Sequence, residues 1–202
     1  MRTPIQFSVY QAHAVWIVSI VNIGLGFFIP GFDVLGKSIS HVALEAPAFA
    51  YTHRVADVVI GASMCLFALG INGISGKKTS FSMLTIGLLG LSMVSAGIWT
   101  LESPLHLLYN LSIFMILSPV VFALEFRERL KSPGFETFCL GLGFLHVSMF
   151  WAIYAGFIPS EYNGLVQRIW AVPTMGWFGV AVWALQKQSH PNEEGKPWAA
   201  TG

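Results

Sequence analysis

The sequence predicts an all-α, polytopic membrane protein whose six transmembrane helices form one bundle. Hydrophobic residues make up 54% of the 202 residues, charged residues only 10%, and the mean hydropathy is +0.65. Ordinary soluble domains carry about 25% charged residues. The apolar residues occur in continuous runs without the alternation typical of barrel strands. Helices that satisfy their own backbone hydrogen bonds are therefore expected to cross the bilayer.

Six apolar runs are long enough to cross about 30 Å of hydrocarbon. In chain order they are Ala12–Ile29, Val55–Ile71, Phe81–Leu101, His106–Leu124, Phe135–Phe157 and Leu165–Leu185. The first follows Arg2 as a signal peptide would, but it is longer than a signal core, and the next residues, PGFD, lack a small-residue cleavage pattern. We expect it to be a mature helix. The helices form one domain, residues 1–186, and residues 187–202 are predicted to be a polar, disordered cytoplasmic tail.

The distribution of lysine and arginine predicts the orientation, because these residues are retained on the cytoplasmic side during insertion. With the N-terminus inside, eight of the eleven fall on the cytoplasmic side. Those on the outer side are Lys37, Arg54 and Arg168. Both termini are therefore predicted to be cytoplasmic, with the protein in the inner (cytoplasmic) membrane of the cell.

The first outer connector, between Gly31 and Arg54, is long and rich in polar groups. Its centre, SISHVALE, can form one or two helical turns capped by Ser38 or Ser40. A structured first outer loop is therefore expected.

Ionisable residues inside a membrane are costly, so they usually pair or line a wet cavity. His53 and Asp57 are four residues apart, as are His106 and Asn110, so each pair shares one helix face. We expect these faces to meet at an outward-facing pocket, with Asp33 and Glu102 nearby and Asn22 in the inner half of the bundle. The candidate ligand-binding residues are His41, His53, Arg54, Asp57, Glu102, His106, Asn110, His146 and Arg168. The alternative is that these residues only pair at the interface and set helix register.

Arg168 has two interpretations. Its guanidinium can bind an anionic group such as a lipid phosphate, or it can hold Asp57 or Glu102 in an ion pair.

Metal and cofactor chemistry have little support in the sequence. Zinc would need three protein ligands, yet HExxH and HxxxH spacings are absent. Only His146 is central in a helix, whereas bis-histidine haem needs two such residues. Cys65 and Cys139 lie in apolar runs and are expected to be small buried residues. We predict no metal, no cofactor and no nucleic-acid partner, since the net charge is only +1.

Four segments carry a resemblance to a known family. They are FDVLGKSISHVALEAP, LFALGI, GIWTLESPLHLLYNLSIF and GLVQRIW. With these segments the chain resembles, from about Ala12 to Leu185, a bacterial six-helix membrane family catalogued as domain of unknown function nine-nine-eight. The resemblance implies a six-helix bundle with a structured outer loop, and it implies no activity, cofactor or catalytic residue.

The leading functional hypothesis is an outward-facing polar pocket that binds a lipid head group or small amphiphile. The same features also fit an accessory subunit of a membrane complex. The expected partners are therefore membrane lipids, and other membrane-protein subunits in the second case. Two alternatives are a metal-dependent intramembrane hydrolase or lipid-modifying enzyme, and a small transporter. The residues leave catalysis open.

Overall fold

Eight α-helices and four 3₁₀ segments make up the structure, a computed structural model that describes residues 3–189, with the backbone alone at residues 107, 109 and 189. The α-helices are α1 (Pro4–Tyr10), α2 (His13–Gly24), α3 (Pro47–Ser75), α4 (Phe81–Ile98), α5 (Phe114–Glu125), α6 (Arg127–Leu130), α7 (Pro133–Tyr154) and α8 (Asn163–Ser189). The 3₁₀ segments are Leu25–Phe28, Ile39–Leu44, Pro104–Ile113 and Ser160–Tyr162.

These elements confirm the six predicted transmembrane helices. The apolar helical stretches long enough to cross a membrane are Pro4–Phe28, Pro47–Ser75, Phe81–Ile98, Pro104–Glu125, Pro133–Tyr154 and Ser160–Gln188. Pro119 and Pro173 lie inside α5 and α8. The helical part of the last stretch continues to Ser189, past the predicted start of the tail, and the remaining tail residues, like Arg2, lie outside the described residues.

Capping chemistry explains why several helices are longer than the apolar runs. At the first helix, the Thr3 hydroxyl accepts from the backbone N–H of Gln6, and the Gln6 side chain accepts from that of Thr3. Pro4 follows at the first helical position, so the chain is already helical before Ala12. At the C-terminal end of α3, Gly76 adopts the left-handed conformation (φ 68°) that commonly terminates a helix.

Successive spans are antiparallel, which gives the bundle two distinct ends. At the near end, α1 packs against the last turns of α3, where Ile5 lies beside Gly73. The far end contains the connectors 29–46, 99–103 and 155–159. The first of these carries the 3₁₀ turn Ile39–Leu44, which confirms the expected structured loop. Ser38 occupies its N-cap position, but its hydroxyl contacts the His41 ring Nδ1 at 2.7 Å rather than the backbone.

Helices α3 and α4 are packed most closely, because glycines remove side chains from their interface. A Cβ added at Gly61 would lie 2.5 Å from the carbonyl oxygen of Gly90, and one at Gly97 would lie 2.6 Å from that of Arg54. A Cβ at Gly141, in contrast, would meet nothing within 4 Å. Only some of the glycines are therefore needed for close helix approach.

Aromatic residues fill the half of the bundle nearer the termini. Phe67, Phe122, Trp177 and Phe178 are almost fully buried. The Phe67 ring lies 6.2 Å from that of Phe122 and 5.8 Å from that of Phe178. This packed layer separates the near end from the polar groups at the far end.

The near end is closed by a polar network around Glu125. Its carboxylate accepts from the Lys77 ammonium at 2.8 Å, from the Ser80 hydroxyl at 2.8 Å, and from the backbone N–H and hydroxyl of Ser82 at 2.9 and 2.6 Å. These bonds join the start of α4 to the end of α5. Because a carboxylate at a helix start also compensates unpaired N–H groups, the network stabilises the turn before α4.

Candidate functional site

Three buried polar side chains form a closed cluster at the far end of the bundle. The Asn22 amide nitrogen donates to Asp57 Oδ1 at 2.7 Å, and the Asn22 amide oxygen lies 2.7 Å from His53 Nδ1. His53 Nε2 lies 3.4 Å from Asp57 Oδ2. The relative exposures of Asn22, His53 and Asp57 are only 4%, 2% and 3%.

Two helices position this cluster. His53 and Asp57 are one turn apart on α3, which places both on the face toward α2, as the sequence spacing predicts. Asn22 lies one turn before the 3₁₀ segment that ends the first span. It was expected in the inner half, but it lies at the far end, because the first span begins earlier than its apolar run.

A small cavity of about 60 Å³ adjoins the cluster. Its polar lining residues are Ser19, Asn22, Ser40, His53, Asp57 and Gln167. Its apolar lining residues are Ile23, Ile39, Ile60, Met93, Ala171 and Met175. The volume has room for a few water-sized groups, and the polar partners that such groups need are present.

A larger cavity of about 420 Å³ lies between the 3₁₀ segment Pro104–Ile113, α5, α7 and α8. Apolar atoms form most of its wall, with a few polar groups from Asn110, Ser112, Gln167 and Thr174. Its remaining lining residues are Ile113, Met115, Ile116, Phe150, Trp170, Ala171 and Met175. Gln167, Ala171 and Met175 line both cavities, so the two cavities are neighbours along α8.

The first far-end loop, residues 29–46, covers the small cavity and is hydrogen-bonded to α8. The backbone N–H of Ile39 donates to the Gln167 side-chain oxygen at 2.7 Å, and the N–H of Leu165 donates to the Leu35 carbonyl at 2.9 Å. Gly164 allows this approach, since a Cβ there would collide with the carbonyl oxygen of Lys37. The loop therefore forms a lid over the small cavity that is bonded to the first turns of α8.

Arg168 belongs to this lid. Its Nη1 lies 3.0, 2.8 and 2.8 Å from the carbonyl oxygens of Val34, Lys37 and Gly164. The guanidinium also lies over the Phe32 ring, 5.8 Å from its centroid. The expected ion pair of Arg168 with Asp57 or Glu102 is absent from the described residues. Only Nη1 bonds to the backbone carbonyls, and the buried Nε and Nη2 have no hydrogen-bond partner among the described residues. Arg168 lines neither cavity.

Most other predicted site residues lie outside the cluster. Arg54 caps the end of α4 by donating to the carbonyls of Gly97 and Ile98 at 2.9 and 2.8 Å. His106 donates from Nδ1 to the Trp99 carbonyl at 2.7 Å, His41 contacts Ser38, and Glu102 is exposed. The contacts of Arg54, His106 and His41 stabilise helix ends and connectors.

Asn110 and His146 relate to the larger cavity. Asn110 lines it directly. His146 is fully buried and its Nε2 lies 2.8 Å from the Thr174 hydroxyl, which itself donates to the Trp170 carbonyl. His146 does not line the larger cavity itself, but its contact with Thr174 positions a residue that does. His106 and Asn110, although one turn apart in sequence, do not meet His53 and Asp57 in one cavity.

Sequence reasoning missed Asn22, Ser40 and Gln167 as site residues. An amide within an apolar run is itself an expensive group in a membrane, and that signal could have identified Asn22 and Gln167. Ser40 carried no such signal, because serine is common in membrane helices and loops alike.

Within residues 3–189, His, Cys, Asp and Glu nowhere form a group of three or more that could hold an ion. The side chains of four histidines lie in separate contacts: His41 with Ser38, His53 with Asn22, His106 with Trp99 and His146 with Thr174. These side chains do not fit the donor set that zinc requires.

Comparison with known proteins yields one match. The family model described as Protein of unknown function (DUF998) matches residues 12–184. No curated protein and no solved structure matches the chain.

Proposed function

The chain belongs to the DUF998 family of proteins of unknown function, and we propose that this multi-pass membrane protein binds a small amphiphile at its far end. In this proposal the polar head of the amphiphile occupies the small cavity beside His53 and Asp57, and its apolar part occupies the larger cavity. The observation that carries the proposal is the common wall of the two cavities, formed by Gln167, Ala171 and Met175.

The larger cavity has the properties of a ligand site. Its volume of about 420 Å³ falls in the range of about 300–1,000 Å³ that is usual for small-molecule pockets. Its wall is mainly apolar with a few polar groups, the combination that holds an alkyl chain and orients it. A residue at its rim, Phe150, is 48% exposed on the outside of the bundle, where lipid is the solvent. An amphiphile can therefore enter sideways from the bilayer.

The small cavity supplies the polar end. Asp57, His53 and Asn22 line it with charged or hydrogen-bonding groups, and the lid contributes Ser40. A buried polar group without partners costs about 1–3 kcal/mol. A head group with matching donors and acceptors is therefore favoured in this cavity over a plain alkyl chain.

The packing of the other half of the bundle favours binding over transport. A path through the membrane would have to pass Phe67, Phe122 and Phe178, which are fully buried and in ring contact. A ligand site that opens to one leaflet agrees better with this packed layer.

Membrane lipids are the partners that this proposal requires. Helix α7 exposes large aromatic residues, with Phe144, Trp151 and Tyr154 at 75%, 60% and 86%. Lipid contact accounts for these residues, and Trp and Tyr in particular are enriched where membrane helices reach the membrane–water interface. We further propose that the protein resides in the inner membrane, with the site on the non-cytoplasmic side.

Photo-crosslinking in lipid nanodiscs tests the proposal. The probe is a long-chain alcohol with a diazirine in its alkyl chain, and labelled residues are identified by peptide mass spectrometry. We expect labelling of Phe150, Met115 or Met175, and its loss in Ala171→Phe, which fills the wall shared by the two cavities. The matched control is Val172→Phe, because Val172 is the next residue of α8 and is 52% exposed to lipid. Labelling confined to outer surfaces, or equal labelling in both variants, would refute the proposal.

A further inference from the structure

The hydrogen-bond partners of His53 fix the location of its proton. Nδ1 of His53 contacts the Asn22 amide oxygen at 2.7 Å. A carbonyl oxygen can only accept, so Nδ1 is the donor. In the neutral imidazole, Nε2 then carries a lone pair and can only accept. This Nε2 faces the carboxylate oxygen Oδ2 of Asp57.

When Asp57 is ionised, two acceptors therefore face each other beside the small cavity, whereas a proton on Oδ2 would make the carboxyl group a donor to Nε2. The distance from His53 Nε2 to Asp57 Oδ2 is 3.4 Å, longer than the roughly 2.7–2.9 Å of a charge-assisted N–H···O bond. The other carboxylate oxygen, Oδ1, already accepts from Asn22 at 2.7 Å. Both Nε2 and Oδ2 can accept a hydrogen bond from a donor in the small cavity, because His53 and Asp57 line that cavity.

The charge of the two cavities points to the same kind of ligand. Of the described residues that line them, Asp57 is the acidic one and none is lysine or arginine. The two arginines of this region line neither cavity. Arg54 donates to carbonyls of α4, and Arg168 donates through Nη1 to carbonyls of the lid, while its Nε and Nη2 are buried without a partner among the described residues. An anionic head group would meet Asp57 without a compensating cation.

From this geometry we infer that the head group of the amphiphile is a protonated primary amine; the inference rests on the proposed function. Its N–H groups donate to Asp57 Oδ2 and His53 Nε2, and a third can reach a side-chain oxygen of Ser19, Ser40 or Gln167, which also line the cavity. Such a head is close to water in size and fits a cavity of about 60 Å³. A quaternary ammonium carries the charge but no N–H donor, and it is excluded by the same argument.

Competition experiments on the full chain in zwitterionic nanodiscs test this inference. The diazirine alcohol is displaced by dodecylamine, dodecanol, dodecyltrimethylammonium or dodecyl phosphate. We expect dodecylamine to displace it at concentrations on the order of tenfold to a hundredfold below those of dodecanol, the factor typical of one hydrogen bond to a charged group. Dodecyltrimethylammonium and dodecyl phosphate are expected to be no better than dodecanol.

Variants separate recognition from partitioning into the bilayer. Asp57→Asn should remove the advantage of the amine, so that dodecylamine and dodecanol displace the probe from this variant at similar concentrations. Glu102→Gln, which neutralises an exposed acid at the same end, should leave the ranking unchanged. If Asp57→Asn does not fold, the ranking of the four compounds on the unaltered chain still tests whether the head group is a primary amine.

The outcomes distinguish failure of the head-group inference from failure of the proposed amphiphile binding. If the alcohol probe labels the cavities but the amine competes no better than the alcohol, the phosphate or the quaternary ammonium, the head-group inference is wrong and amphiphile binding stands. An amine advantage that survives in Asp57→Asn would equally overturn the inference. If the probe labels neither cavity, the proposed function fails and the inference fails with it.

Discussion

Asn22 and His53 lie on different helices, and their side chains meet at 2.7 Å in the buried part of the far end. The same amide also donates to Asp57 at 2.7 Å. Asn22 is therefore the group that joins α2 to the polar face of α3, and it orients both of the residues that line the small cavity.

Replacing Asn22 with leucine should destabilise the protein. The change leaves His53 Nδ1 and Asp57 Oδ1 buried without their partner, and a buried unsatisfied group costs about 1–3 kcal/mol. We expect the free energy of unfolding to fall by about that amount, measured by SDS-induced unfolding in mixed micelles. Asn110→Leu, at an exposed position, should change it by less than about 0.5 kcal/mol. Equal effects of the two changes would contradict the role given to Asn22.

Arg168→Met should loosen the lid without unfolding the bundle. The guanidinium binds the carbonyls of Val34 and Lys37, and hydrogen bonds to a charged group are worth about 1.5–3 kcal/mol. Hydrogen exchange of the amides of Lys37 and Leu165 should accelerate on the order of tenfold to a hundredfold. Arg54→Met serves as the control, because it removes a cap from α4 and should leave the exchange of the lid unchanged. Unaltered exchange in Arg168→Met would show that other contacts hold the lid.

Gly61→Ala should destabilise the protein, whereas Gly141→Ala should not. A Cβ at Gly61 would lie 2.5 Å from the Gly90 carbonyl oxygen and 2.6 Å from the backbone nitrogen of Val94, and neither backbone atom can move independently. Overpacking of this kind costs about 1–3 kcal/mol. At Gly141 the added methyl meets open space, so alanine should be neutral or stabilising by up to about 1 kcal/mol. The midpoints of SDS unfolding measure both effects, and a destabilised Gly141→Ala would contradict the packing described for α7.

Both termini are proposed to lie in the cytoplasm, since eight of the eleven lysines and arginines fall on that side of the six spans. Green fluorescent protein fused to either terminus should fluoresce in a bacterial host, and alkaline phosphatase fused there should be inactive. Alkaline phosphatase inserted after Lys37, in the lid, should be active. The reverse pattern would place the proposed site on the cytoplasmic side.

The six spans could be predicted from the sequence because lipid imposes a length and an apolar composition on every crossing. Their ends could not be predicted as well. The start at Pro4 depends on the reciprocal hydrogen bonds of Thr3 and Gln6, which lie before the apolar run. The end of α3 depends on the left-handed backbone of Gly76, and hydropathy carries no information about either feature.

The site was predicted in part for a similar reason. The sequence by itself determined that His53 and Asp57 share a face, because a separation of four residues on a helix has one geometric outcome. Only the tertiary structure decided their partner, since Asn22 reaches them from α2 across a helix interface. It also decided that Arg168 holds the lid rather than an acid. Contacts within a helix follow from its period, whereas contacts between helices depend on their depth and rotation, which the packing of the whole bundle determines.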